Sequence, residues 1–228
     1  MDRLISVMTQ ELMSSPILLT QPFRTVALLA REPGLLVLKD ALLNNPLVRL
    51  LEVFTHASLP KREGGAQRPE LKSYESECKA AGIPLRVLDL PEARNLERYL
   101  PGESFDLMLA LSWRYILSKN VLDRPTAGAI NLHRGELPKF NGAEPVRRAI
   151  EAGATSVSIT AHRMTEELDS GPIVATVSIE MPPLPANITA EDYAEKIKVA
   201  LYPLYAPLAR LSILSLTSAR QAAAKSYS

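Results

Sequence analysis

Apolar and polar positions along the chain follow two periods, one of short strand-like runs and one of longer helical stretches. Apolar or alternating runs predict strands at residues 24–30, 48–55, 85–90, 105–111, 127–133, 156–162 and 174–180. Helical spacing predicts helices at residues 35–43, 69–81, 91–100, 145–152 and 189–201. Strands that alternate with helices indicate an α/β fold with a doubly wound, mostly parallel sheet.

Start and stop signals divide the chain further. Thr189, followed by Ala190, Glu191 and Asp192, has the pattern of a capping box that opens a helix. The charged segment 59–68, with Gly64 and Gly65, predicts an exposed loop. We therefore expect one α/β domain, large enough to hold an active site, over residues 24–219. An N-terminal extension over 1–23 and a flexible tail over 220–228 are expected to flank it.

Composition and charge limit the classes of protein. Hydrophobic residues make up 46% and charged residues 22% of 228 residues, which is typical of a globular protein. The net charge of +1 gives no strong basic field, so we expect no nucleic-acid partner. A single cysteine, Cys78, excludes an intramolecular disulfide and a thiolate zinc site, and three scattered histidines predict no metal. No apolar run in the sequence reaches the ~20 residues that span a bilayer, so we expect a cytoplasmic protein without a membrane partner.

Candidate chemistry lies where the strand 127–133 ends. Ligands of parallel sheets bind outside the carboxyl ends of the strands. Asn131 and His133 point to the same face, because successive strand side chains alternate. An amide donor beside an imidazole can stabilise an oxyanion and move a proton, although the pair could also be a turn cap and a surface histidine. The segment 164–173 places a carboxylate in a loop that Gly171 and Pro172 turn back, and a carboxylate near His133 would hold its tautomer and favour its protonated form.

Three motifs in this order resemble the folate-dependent formyltransferase family. They are Asn131-Leu132-His133, the turn at residues 137–142 with its Leu-Pro and Gly, and Asp169-Ser170-Gly171. The resemblance covers roughly residues 24–201 and implies a Rossmann-like catalytic domain that moves the formyl group of 10-formyltetrahydrofolate to an amine, without a metal. It implies that Asn131 and protonated His133 stabilise the oxyanion. Asp169 would orient His133 and accept the amine proton directly or through water.

The segment after the fourth predicted strand resembles the part of the family that lines the pterin pocket. The resemblance implies apolar walls from Trp113, Ile116 and Leu117, with backbone groups at the pterin edge. The residues expected to bind folate are Trp113, Arg114, Tyr115, Ile116, Leu117 and Leu168. Without the family context, Trp113 could equally be an anchor of the core.

Departures from the family pattern concern residues around the same site. Gly135-Glu136 stands where the family often has Ser-Leu, which places a carboxylate near the substrate. Arg134 could bind a substrate phosphate or be a solvated loop charge. We expect His162 either to support the site residues or to have a structural role, and His56 to cap a loop.

Features of other family members that this sequence lacks narrow the choice of amine acceptor. Family members that formylate methionyl-tRNA carry a further β-barrel domain and need a basic surface, and glycinamide ribonucleotide formyltransferases use a Gly-Ser-Asn phosphate loop where this chain has residues 30–34. We therefore expect a small-molecule amine, such as an amino sugar on a nucleotide. Candidates for diphosphate contacts are Arg24, Arg31, Lys61, Arg62, Arg68 and Arg134. A formyltetrahydrofolate hydrolase, a glycinamide ribonucleotide formyltransferase and a non-catalytic folate-binding module remain alternatives, and a homodimer is left open.

Overall fold

The computed structural model describes residues 21–226, which contain a seven-stranded sheet in the order β3-β2-β1-β4-β5-β6-β7. The strands are β1 (Phe23–Leu29), β2 (Val48–Thr55), β3 (Leu85–Val87), β4 (Leu107–Leu111), β5 (Ala129–His133), β6 (Ser156–Arg163) and β7 (Ile173–Glu180). Strands β1 to β5 pair in parallel, whereas β6 pairs antiparallel with both of its neighbours, β5 and β7. The predicted doubly wound, mostly parallel α/β sheet is confirmed.

Helices cover both faces of this sheet. They are α1 (Arg31–Val37), which continues as a π-helical turn (Leu38–Leu42), α2 (Leu71–Ala81), α3 (Lys119–Leu122), α4 (Pro145–Glu151), α5 (Ala190–Leu201) and α6 (Tyr205–Ser226). Short 3₁₀ turns lie at Lys61–Glu63, Glu92–Arg98 and Tyr202–Leu204. The hydroxyl of Thr189 accepts a hydrogen bond from the backbone N–H of Asp192 at 3.1 Å, so the predicted cap of α5 is confirmed.

Helix α6 corrects the expected end of the domain. It continues through residues 220–226, for which the sequence pattern predicts a flexible tail. Residues 1–20 and 227–228 lie outside the described residues, and the last residue of the expected N-terminal extension, Phe23, begins β1. By length and composition alone, the helical stretch Ala190–Ser226 could cross a membrane, but its Leu208, Ile213 and Leu216 are buried in the core.

The central strands are buried on both faces, as the near-continuous apolar runs predict. In β1, Ala27 and Leu29 face one apolar cluster, while Val26 and Leu28 face the other. Each fully buried Val or Leu contributes roughly 1.5–3 kcal/mol relative to an exposed side chain. The middle of the sheet is therefore a rigid base for the loops that follow β1, β2, β4 and β5.

The strand order reverses between β1 and β4, which lie side by side although two strands separate them in the chain. The N–H of Ala30 donates to the carbonyl of Leu111 at 3.1 Å and ties the two carboxyl ends together. The next residues, Arg31 and Ser112, both have left-handed backbones, with φ of 63° and 59°. Such a crevice is where doubly wound sheets bind ligands.

Candidate active site

Strands β5 and β6 place three polar side chains on one face of the sheet. Asn131 and His133 lie two residues apart on β5, and the antiparallel register sets His162 of β6 opposite Asn131. The loop 164–172 then brings Asp169 to the same place, with Oδ2 at 3.3 Å from Nδ1 of His133. The structure thus brings together the three residues of the predicted catalytic set.

Asp169 is the centre of this group, which we call the Asp169 cluster (Asn131, His133, His162 and Asp169). Its Oδ2 accepts the backbone N–H of Gly142 at 3.0 Å, and its Oδ1 lies 3.5 Å from Nδ2 of Asn131 and 3.4 Å from Nε2 of His162. Burial raises the pKa of the Asp169 carboxyl, but the nearby ring of His162, the charge of His133 and the N–H of Gly142 together hold that pKa below its ordinary value. The carboxylate is therefore ionised.

The two histidines of the cluster have defined tautomers when neutral. Nε2 of His133 lies 2.9 Å from the carbonyl of Phe140, and Nδ1 of His162 lies 2.9 Å from the carbonyl of Arg163. Because a carbonyl only accepts, each of these nitrogens carries the ring proton. The other nitrogen of each ring then carries no proton. Nδ1 of His133 faces the ionised Asp169, so that the pair can bind one proton between them, and Nε2 of His162 accepts a hydrogen bond from the amide of Asn131 at 3.2 Å.

Opposing effects set the pKa of His133. Burial lowers the pKa of His133 and outweighs the Phe140 carbonyl and the Asp169 charge, which both raise it. The direct influence of Asp169 has the expected direction, but the neutral ring is favoured overall. Desolvation of the ring is the larger effect, so protonation of His133 during the reaction works against its burial and is favoured by Asp169.

Two glycines allow the backbone to approach this closely. A Cβ at Gly171 would lie 1.9 Å from the carbonyl oxygen of Arg163, so only glycine lets the Asp169 loop turn back into β7. A Cβ at Gly135 would lie 2.8 Å from Nε2 of His133 and 2.7 Å from the carbonyl oxygen of Phe140. The departure from Ser to Gly at this position therefore makes room for the contact that sets the His133 tautomer.

The residues expected to bind the pterin are divided among three environments. Leu117 is buried in the second apolar cluster and exposes only 6% of its surface. Ile116 and Leu168 are 86% and 67% exposed and remain available as apolar surface. The structure therefore does not gather all the expected residues into one apolar wall, and Leu117 belongs to the core.

Trp113, Arg114 and Tyr115 pack instead around His56. The ring of Trp113 stacks on His56 at 4.2 Å between centroids, and Tyr115 meets His56 edge-on at 5.3 Å. Nη2 of Arg114 donates to Asp89 at 3.0 Å. The indole of Trp113 is half-buried and packs beside the second apolar cluster. Trp113 is therefore in part an anchor of the core, as the alternative interpretation expects.

His56 was expected to cap a loop and Arg68 to lie in an exposed loop, and both are buried. His56 exposes 1% of its surface, with Nδ1 at 2.7 Å from the carbonyl of Leu88, and burial lowers its pKa to about 4. Arg68 exposes 3% and donates to the carbonyl of His56 at 2.7 Å and to the hydroxyl of Thr55 at 2.6 Å. The segment predicted as an exposed loop therefore ends in a buried cation, because β2 offers acceptors that only the folded chain presents.

The candidate diphosphate contacts do not converge as one group. Arg24 binds Glu103 at the amino-terminal end of β1, and Arg134 donates to the hydroxyl of Tyr205 at 3.3 Å. Arg31 binds the carboxylate of Glu63 through contacts of 2.8 and 2.6 Å. Within residues 21–226, no three His, Cys, Asp or Glu side chains are grouped to hold a metal ion.

Residues 91–205, about half of the chain, match the family model described as Formyl transferase. The chain belongs to the formyl transferase family. This confirms the resemblance on which the three motifs were assigned. The matched range contains every residue of the Asp169 cluster.

Named relatives and solved structures agree with this membership. Methionyl-tRNA formyltransferase of Halorhodospira halophila is 34% identical over 152 residues, which cover 66% of this chain and 46% of the relative. The protein of the same name from Pseudomonas fluorescens is 35% identical over 177 residues, covering 76% and 51%. The chain thus spans about half the length of the curated relatives it matches.

Similar solved structures show the fold. A formyltetrahydrofolate deformylase from Pseudomonas syringae has a TM-score of 0.66 at 18% identity, covering 88% of this chain and 63% of that one. A phosphoribosylglycinamide formyltransferase from Anaplasma phagocytophilum has a TM-score of 0.61 at 22% identity, covering 84% and 87%. The formyltransferase type of Rossmann-like fold is therefore confirmed.

Proposed function

We propose that this chain transfers the formyl group of 10-formyltetrahydrofolate to a primary amine. The observation that carries the proposal is the buried contact of Asp169 with His133 at 3.3 Å beside Asn131, in a member of the formyl transferase family. The folate supplies the formyl carbon that the amine attacks. The exposed side chains of Ile116 and Leu168 fit a flat apolar ring, and we retain both, with Trp113, Arg114 and Tyr115, as folate-side residues.

The residues of the cluster have distinct roles in this proposal. Nδ2 of Asn131, oriented by His162, donates a hydrogen bond to the oxygen that becomes negative, an interaction worth ~3 kcal/mol. Asp169 takes the proton that the attacking amine loses and shares it with Nδ1 of His133, and the positive charge that the ring gains stabilises the negative oxygen. The proton moves to N10 of the folate as its bond to the formyl carbon breaks, so the reaction consumes no net proton.

Two kinds of acceptor amine are compatible with the proposed transfer. We propose a small-molecule amine, such as an amino sugar on a nucleotide, because the net charge of +1 gives no strong basic field for a tRNA. A second candidate, methionyl-tRNA, is favoured by a specific observation: relatives 34% and 35% identical carry the name methionyl-tRNA formyltransferase. We propose the cytoplasm as the compartment, since Cys78 is a buried free thiol.

One assay tests the proposal and separates its alternatives. Purified protein is incubated with 10-formyltetrahydrofolate and either a panel of amino-sugar nucleotides or methionyl-tRNA, and formylated product is detected by mass spectrometry. Release of formate without any amine would indicate the hydrolase. Binding of folate without either activity would indicate a non-catalytic module and would contradict the proposed function.

A further inference from the structure

One turn of the chain supplies two backbone contacts to the Asp169 cluster. The carbonyl of Phe140 lies 2.9 Å from Nε2 of His133, and the N–H of Gly142 donates to Oδ2 of Asp169 at 3.0 Å. The first contact sets the tautomer of His133, and the second stabilises the ionised carboxylate. Both contacts therefore depend on where residues 140–142 lie relative to β5.

Two residues with left-handed backbones lie at the end of this turn. Gly142 has a φ of 75°, which glycine adopts without strain, whereas Glu144 has a φ of 49° and a ψ of 45°. A Cβ makes this conformation unfavourable, so it persists only where other contacts hold the residue. Glu144 is the N-cap residue of α4, yet its side chain makes no capping hydrogen bond. The backbone conformation of Glu144 therefore points to a contact of its side chain outside α4.

That contact is an ion pair with helix α5. Oε2 of Glu144 accepts a hydrogen bond from Nζ of Lys198 at 3.0 Å, and the side chain of Lys198 is only 11% exposed, against 47% for Glu144. Because the ammonium is largely buried, solvent screens this pair less than a pair of two exposed side chains. The hydrogen bond from Lys198 lowers the pKa of the Glu144 carboxyl more than burial raises it, and the charges of Arg147 and Arg134 act in the same direction as Lys198. The carboxylate of Glu144 is therefore ionised and held by α5.

Two further contacts show what the ion pair adds. Nζ of Lys198 also donates to Oε1 of Glu195 at 2.7 Å, one turn earlier on α5, and this second pair stays within the helix. Nη1 of Arg148 donates to the carbonyl of Asn141 at 2.6 Å and joins the turn to α4. Glu144 joins the same turn to α5. Loss of the Glu144 ion pair is therefore expected to loosen the turn without unfolding it.

We propose that Glu144 and Lys198 are positioning residues for the Asp169 cluster. Their ion pair holds the turn 140–144 where the N–H of Gly142 reaches the carboxylate of Asp169. The effect passes along the backbone, because only one residue separates Glu144 from Gly142. The consequence for catalysis rests on the proposed function, whereas the control of the hydrogen bond to Asp169 does not.

Hydrogen exchange of the Gly142 amide, followed by NMR, measures this control without any substrate. Lys198→Met removes the ammonium and keeps an unbranched side chain, and Glu144→Gln removes the charge of the carboxylate. In both variants we expect the Gly142 amide to exchange about tenfold faster than in wild type, because its hydrogen bond opens more often. The amide of Ala154, which donates to the carbonyl of Ala149 at 3.0 Å near the other end of α4, should exchange as in wild type.

Matched variants separate the ion pair from long-range charge. Glu195→Gln removes the other partner of the same ammonium and should leave exchange at Gly142 unchanged, while Lys198→Arg keeps a cation and should restore slow exchange. The N–H of Gly142 lowers the pKa of the Asp169 carboxyl, so that pKa should rise in both Lys198→Met and Glu144→Gln. These two variants change the net charge in opposite directions, so a rise in both cannot come from long-range charge. NMR titration of the carboxyl carbon measures the shift.

The outcomes are separable from the proposed function. Wild-type exchange at Gly142 in both variants, or equal acceleration at Gly142 and Ala154, would overturn the positioning role, and so would the same acceleration in Glu195→Gln. Faster exchange in a protein that formylates no amine would leave the control of the hydrogen bond standing and contradict the transfer reaction. In a working transfer, kcat of both variants should fall by roughly tenfold, with KM for the folate near wild type. An unchanged kcat despite faster exchange would overturn the consequence for catalysis.

Discussion

Two buried histidines near the carboxyl ends of the strands, His133 and His56, have similar local contacts and different surroundings. Each places one ring nitrogen within 2.9 Å of a backbone carbonyl, that of Phe140 or of Leu88. None of the unpartnered buried side-chain atoms belongs to the Asp169 cluster, whereas several belong to the group around the other ring, which we call the His56 cluster (His56, Arg68, Glu70, Trp113 and Arg114). Similar tautomer control thus occurs in two different surroundings.

The position of the carboxylate makes the difference. Asp169 faces Nδ1 of His133, the nitrogen without a proton, so the two groups can share a proton gained from a substrate. Asp89 lies instead beside Nδ1 of His56, which already donates to Leu88, and leaves Nε2 without a partner. Burial lowers the pKa of both rings, but only the His133 ring is arranged for proton exchange.

The largest expected effect lies in the Asp169 cluster. Asn131→Ala removes an oxyanion donor, so kcat should fall by ~10² to 10³, while folate affinity changes much less. His133→Ala and Asp169→Ala should each cost at least as much, and their double variant less than the product, because they act as a unit. Steady-state kinetics on the acceptor identified by the transfer assay measure these effects. Asn131→Ala with full activity would contradict the mechanism.

A second effect belongs to the His56 cluster and concerns stability. The folded ring takes a proton at a pKa of about 4, against 6.5 for an ordinary histidine, so the unfolded chain binds more protons between these values. Stability should therefore fall as the pH falls from 6.5 to 4, with His56 contributing roughly 3 kcal/mol. His56→Gln should remove this part of the slope. Urea unfolding at pH 7 and 4.5 measures it, and identical slopes would show that His56 is not held neutral by burial.

A third, smaller effect tests the cause of that pKa. Trp113→Leu uncovers one face of His56, and since burial is the main reason for the low pKa, the pKa should rise from about 4 towards 6.5. Tyr115→Leu, which removes only an edge contact at 5.3 Å, is the control and should raise it less. NMR titration of the ring protons distinguishes the two variants. An unchanged pKa in Trp113→Leu would mean that other groups desolvate the ring.

The smallest expected effect concerns the charge of Asp169. Its carboxylate raises the pKa of His133 against the effect of burial, so Asp169→Asn should lower that pKa further. NMR titration of the same kind measures the shift. A rise in the pKa of His133, or no change, would contradict the pairing of His133 with Asp169. It would mean that His133, like His56, is not controlled by its neighbouring carboxylate.

Local patterns were sufficient for much of the fold. The strand 48–55 was predicted with its observed bounds, and the cap at Thr189 follows from a four-residue pattern. The long helix α6 and the depth of Arg68 were missed, because packing on the sheet rather than local spacing fixes both. His162 was expected to support the site residues or to have a structural role, and the β5–β6 register, which local spacing does not show, sets it against Asn131.

The sequence by itself determined that Asn131 and His133 share a face, since strand side chains alternate, and its motifs singled out Asp169. Only the tertiary structure decided the state of these groups, because desolvation depends on everything packed around a ring and favours a neutral His133 despite its carboxylate. The same holds for His56 and Arg68, which are buried polar residues only where β2 and β4 end side by side with β1. Sequence spacing records which groups are present, whereas burial and long-range contacts set their charge.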